Sequence, residues 1–205
     1  MTHTPEKPTS RLVRPLGRTL AAVALSALAV STLPAGAQGV SGSSTAGTGT
    51  ASSAGAMVSR DDSKMMTDLA HANIAEIETG KLALEKSQNQ QVRKFAQLMI
   101  DEHTAALKEL QTLAQAKGVK LPDGTDLKHK TMAAALKVMT GNTFDSQYMK
   151  RAGVGDHEQT IELLQKAQNN AKDPELKAMA SKMLPTVQAH LKMAQEGVVA
   201  VSAKK

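Results

Sequence analysis

Four residues of ligand type, Glu76, His103, His157 and His190, fall on or beside the apolar stripes of four successive amphipathic segments, each near the middle of its segment. Apolar stripes build helical cores, where an imidazole or a carboxylate needs a hydrogen-bond partner or a metal. Imidazole nitrogen with carboxylate oxygen is a donor set suited to zinc, iron or manganese. Acids flank the group, since Glu102 precedes His103 and Asp156 precedes His157. Adjacent helical residues point about 100° apart, so these acids are candidates for ligation from the flank or for orienting a histidine on the next helix. Core histidines hydrogen bonded to neighbouring acids, with no metal, produce the same pattern, because stripes cover about three positions in seven. Spacing leaves both readings open.

The segments that must hold these residues are helical. From about Met57 onward the chain is rich in Ala, Leu, Met, Lys, Gln and Glu, the strong helix formers, and no stretch alternates as a strand does. The pattern predicts a first helix over 63–86, with Ser59 and Asp62 as a capping box before it and Met66, Leu69, Asn73 and Gly80 on its inner face. A second is predicted over 89–117, with Phe95, Ala96, Met99 and Leu110 inward and Gly118 as the stop. After the turn at Leu121, Pro122, Asp123 and Gly124, a shorter helix over 126–140 serves as crossover. The third helix follows Asn142 or Thr143 as cap, and Gly153 and Gly155, each costing ~1 kcal/mol relative to alanine, mark a kink or break. The fourth opens on Asp173, Pro174 and Glu175, and Pro185 is expected to bend it. The expected fold is all-α, a four-helix bundle of two hairpins with a short crossover helix between helices 2 and 3.

Counting from the predicted turns puts the four residues at matched heights. Glu76 lies 12 residues before Gln88 and His103 lies 15 after it, while His157 lies 15 before Lys172 and His190 lies 18 after it. Each pair differs by three residues, roughly 4.5 Å along the axis. The methionines, including Met99, Met179, Met183 and Met193, sit at helical spacing and are read as core filler, and His71 and His129 as solvated.

The first quarter of the chain does not read as core. Lys7, Arg11, Arg14 and Arg18 precede an apolar run from Leu20 to Leu33 and then Ala35, Gly36, Ala37, the order of a secretion signal cleaved after residue 37. The run is shorter than the ~20 apolar residues that span a bilayer, so no transmembrane anchor is expected in the mature form. Residues 38–56 are Gly, Ser, Thr and Ala with almost no bulky side chain and read as a disordered linker, leaving residues 57–205 as the folded domain. Zero cysteine removes lipoprotein acylation, disulfides and thiolate ligands. Of 25 basic and 19 acidic residues, four and one lie in residues 1–37, leaving 21 and 18, a mature charge of +3 rather than +6. That charge, with Phe95, Phe144 and Tyr148 as the sole aromatic residues, argues against nucleic acid as a partner. No nucleophile with a base at recognisable spacing and no glycine-rich phosphate loop is present, which points away from an enzyme.

Several motifs resemble one family in their order. Leu82 and Ala83 after Glu76, Val92-Arg93-Lys94-Phe95-Ala96 leading to Met99 and Glu102-His103, Phe144, Tyr148 and Met149 leading to Asp156-His157, and Leu184-Pro185-Thr186-Val187 leading to His190-Leu191 are similar to the bacterial secreted ferritin-like proteins of domain-of-unknown-function family 4142. The resemblance covers about residues 60–197 and implies a ferritin-like four-helix bundle, export to the periplasm or cell envelope, and no established activity. Ferritin-like di-iron proteins carry Glu-x-x-His on two helices, whereas Ile100, Val154 and Val187 stand three residues before these histidines. Two functions remain: a divalent metal held by Glu76, His103, His157 and His190 with Glu102 and Asp156 at the flank, or an envelope interaction module whose polar cluster is structural. Oligomeric state is not legible.

Overall fold

The structure, a computed structural model, describes residues 58–203; the expected signal and linker lie outside them. The described chain is all-α, with α1 (Arg60–Lys86), α2 (Gln90–Ala116), α3 (Leu127–Lys137), α4 (Gly141–Tyr148), a π-helical stretch (Met149–Asp156), α5 (His157–Asn170) and α6 (Pro174–Ser202). Helix α1 starts three residues earlier than the apolar pattern suggested, because Ser59 Oγ accepts the Asp62 N–H at 3.0 Å and so caps the polar first turn. The expected capping box forms only by half. Asp62 turns its buried carboxylate to the loop between α5 and α6, accepting the N–H groups of Lys172 at 3.0 Å and Asp173 at 2.9 Å. Asp62→Ala is therefore expected to cost about 2 kcal/mol or more in urea unfolding, since two loop donors lose a charged acceptor.

That contact also sets the arrangement of the hairpins. Asp62 brings the start of α1 to the α5–α6 connection, and Lys117, just past α2, bonds Asp173 at 2.7 Å at the same end. Helix α1 therefore runs antiparallel to both α2 and α5, and α6 antiparallel to both α5 and α2. The two hairpin connections lie at opposite ends of the bundle, and the segment carrying α3 spans its length between α2 and α4. Residues near mid-helix still meet, because mid-helix is the same height counted from either end.

The third rod begins at Gly141, with Thr140 as its cap, rather than after Asn142 or Thr143. At the two glycines it neither stops nor restarts but widens into the π stretch, which needs about one extra residue per turn and is often found at functional sites. Gly153 lets α6 come close: a Cβ there would stand 3.0 Å from Ala194 Cβ and 3.5 Å from Phe95 Cε1. Helix α6 opens as expected, Asp173 capping Glu175 and Leu176, and runs on through Pro185.

The core is divided. One apolar block holds Met66, Leu69, Leu110, Leu164 and Leu176, and the other Val92, Phe95, Met99, Phe144 and Tyr148. Along every long helix the ligand-type residues fall between the two, as His103 does between Met99 and Leu110 and His190 between Val187 and Ala194. A polar layer thus crosses the middle of the bundle.

Candidate metal centre

His103 on α2, His157 at the start of α5 and His190 on α6 are buried, with 5%, 1% and 2% of their surface exposed. Their rings form a near-equilateral triangle, with centroids 5.6 Å apart for His103 and His157 and 5.4 Å for each of the other pairs. One nitrogen from each lies within 4.8 Å of the other two.

The outward nitrogen of each ring is anchored. His103 Nδ1 donates to Asn73 Oδ1 at 3.0 Å, and the Asn73 amide is itself fixed by donating Nδ2 to the Leu69 carbonyl at 2.7 Å. His157 Nδ1 donates to the Ala152 carbonyl, inside the π stretch, at 3.0 Å. His190 Nε2 donates to Glu102 Oε2 at 2.8 Å. A neutral imidazole that donates from one nitrogen carries a lone pair on the other. His103 Nε2, His157 Nε2 and His190 Nδ1 are the buried nitrogens left without a partner among the described residues. Each ring of this close cluster thus has one nitrogen fixed by an outer hydrogen bond and one lone pair left free, the arrangement found around metal-ligating histidines.

Electrostatics keep these rings neutral. Burial lowers His103 well below the usual histidine value, and His157 and His190 beside it push the same way. Burial lowers His157 to about 4 against the opposing Ala152 carbonyl. It also lowers His190, against the raising influence of Glu102.

Glu76 does not join the three nitrogens. It lies behind His157, with Oε1 3.4 Å from the Nδ1 that already serves Ala152, and neither oxygen has a partner among the described residues. Burial first, and Asp156 second, raise its pKa well above the carboxylate range. Burial, with Glu76 second, likewise raises the Tyr148 hydroxyl. Glu102 takes the orienting position on His190 that its place beside His103 allowed. Asp156 turns away from the three rings toward α3, where Lys128 Nζ lies 2.9 Å from Oδ1 and His129 Nε2 3.8 Å from it. His129, read as solvated, is instead buried, because α3 lays it over Asp156 while its Nδ1 donates to Asp126 at 2.7 Å. The Asp126 cap three residues earlier was the available signal. His71 is half-buried, its Nδ1 2.8 Å from the Gly124 carbonyl.

Asn73 stands on the predicted stripe, where spacing alone carries no sign that it orients His103. Asn73→Leu is expected to weaken metal binding about 10–100-fold, because the His103 ring loses the bond that fixes its tautomer; competition against a chelator of known affinity measures this.

A pocket of about 200 Å³ between α2 and α6 reaches the group, lined by His103 and His190 with Ala106, Met183 and Val187. No described helix is long and apolar enough to cross a membrane.

A family model described as "Domain of unknown function (DUF4142)" matches residues 47–196. The chain belongs to that family. This DUF4142 chain is similar in structure to a DUF305 fragment from Deinococcus radiodurans, with a TM-score of 0.63 and 12% identity over 71% of this chain and 99% of that one. It is also similar to CopM in a Cu(II)-bound form, with a TM-score of 0.57 and 19% identity over 68% and 96% of the two chains. For CopM in an Ag-bound form, obtained by soaking, the values are 0.54 and 18% over 66% and 92%. At such identities the likeness concerns the fold alone. No curated protein matches this DUF4142 chain.

Proposed function

We propose that this DUF4142 bundle binds one transition-metal cation, copper or zinc, through His103 Nε2, His157 Nε2 and His190 Nδ1, and serves metal holding or buffering outside the cytoplasm. The observation that carries the reading is a tight cluster of three buried histidines, each with one nitrogen fixed by a partner and the other left without one among the described residues. A cluster kept only for packing would be expected to satisfy its nitrogens within the protein. A convergent set of imidazole nitrogens without carboxylate oxygen suits copper and zinc better than manganese, and the divalent affinity order favours copper. The copper- and silver-bound forms of the similar CopM fold support the same choice. Glu76 is set aside as a ligand, since its oxygens lie behind His157. The location rests on the signal expected over residues 1–37.

Equilibration with Cu(II), Zn(II), Fe(II) and Mn(II), followed by desalting and metal analysis, is expected to leave one equivalent of copper or zinc per chain and little manganese. Ligand at 1,000 times its Kd would stabilise the fold by about 4 kcal/mol. Failure to retain any metal, together with no rise in melting temperature on metal addition, would sink the proposal.

A further inference from the structure

We propose that the cation held by the three histidines keeps a fourth coordination position open toward the pocket between α2 and α6, and that this position takes a small exogenous ligand with a nitrogen or oxygen lone pair. The inference rests on the metal-binding reading and deepens it. Closed structural sites supply four protein donors, whereas sites that exchange ligands supply three and leave one position to a small molecule. Here the histidines, with one nitrogen each, form a group of three, and among the described residues no further histidine or carboxylate oxygen joins it.

The surroundings are unequal on the two sides. Toward α1, Asn73 and Glu76 lie against the outward nitrogens of His103 and His157. Toward the α2–α6 groove, two of the three rings form part of a pocket wall instead. Its volume of about 200 Å³ is room for several waters at about 30 Å³ each, or for one ring of imidazole size. Ala105, Ala106 and Val187 keep the lining small and apolar, and Lys182 at the rim is paired with Glu109 at 2.8 Å. Such a lining favours a compact neutral ligand over a large or highly charged one. Met183 carries the one sulfur of the lining, which makes it the competing internal donor.

Imidazole titrated into the Co(II)-loaded protein tests the proposal, because the visible bands of Co(II) report its coordination. A saturable spectral change is expected, with affinity reduced about tenfold or more in Ala106→Leu, whose larger side chain fills the pocket. Met183→Leu is expected to leave the change intact. A Co(II) spectrum indifferent to imidazole overturns the proposal, as does a response that appears only in Met183→Leu, which would place the thioether in the fourth position. A protein that fails to retain Co(II), Cu(II) or Zn(II) at all overturns the metal-binding reading itself.

Discussion

His157→Leu is expected to lower copper or zinc affinity by more than the roughly 100-fold that marks the upper end of losing an orienting partner, because a donor itself is gone. The same substitution is expected to leave the metal-free protein within about 1 kcal/mol of its original stability. Two effects oppose each other: the Ala152 carbonyl loses its side-chain donor, while an imidazole whose Nε2 has no partner among the described residues is replaced by an apolar group of similar size. A cluster that existed to hold the bundle together would behave otherwise, since breaking a satisfied buried polar network costs several kcal/mol. Chelator competition and urea unfolding on the same variant therefore separate a site kept for a ligand from one kept for the fold. His103→Leu and His190→Leu should follow the same rule for metal. In His190→Leu the freed Glu102 is half-exposed and returns to water, so little stability is lost.

Acid is expected to weaken the metal-free bundle from about pH 6.5 downward. Unfolded histidines take up protons near 6.5, whereas His157 in the fold does so at about 4. Between these values the unfolded chain binds more protons than the folded one, so stability is full above the window and falls as pH falls through it. For His157 the difference, at 1.36 kcal/mol per unit, is about 3 kcal/mol. His103 and His190 are lowered too and add to the loss with the same sign. Glu76 acts oppositely: its raised value means the unfolded chain releases a proton that the folded one keeps, so its contribution declines as pH rises above about 4.5. Urea midpoints measured from pH 7.5 to 4.5 should therefore fall toward acid, less steeply in His157→Leu. A flat or inverted profile would refute the neutral-histidine assignment. Bound metal should be released over the same acid window, protons competing for the three nitrogens.

The sequence carried the all-helical architecture, because helix-forming composition, periodic stripes and the Asp173-Pro174 start are local signals. It also carried the meeting of His103, His157 and His190, since mid-helix positions share a height whichever end the connections occupy. What it could not carry depends on rotation about the helix axis and on cross-chain packing. Glu76 has the right height but faces the back of His157. The π stretch that carries the Ala152 carbonyl bonded by His157 has no periodic signature, although Gly153 and Gly155 marked its place. Asp156 and His129 became buried only because the crossover helix lies across that flank, a contact between segments 27 residues apart.

The division of the core into two apolar blocks bears on how the bundle opens. Leu69, Leu110, Leu164 and Leu176 hold one end and Val92, Phe95, Phe144 and Tyr148 the other, with a layer of histidines and Glu76 between them. Cooperativity in a helical rod passes through contiguous apolar contact, and this layer interrupts it, so amides at the two ends should exchange with solvent through separate openings of unequal free energy. A cation joining α2, α5 and α6 across the layer would couple those openings, turning two half-independent folding units into one.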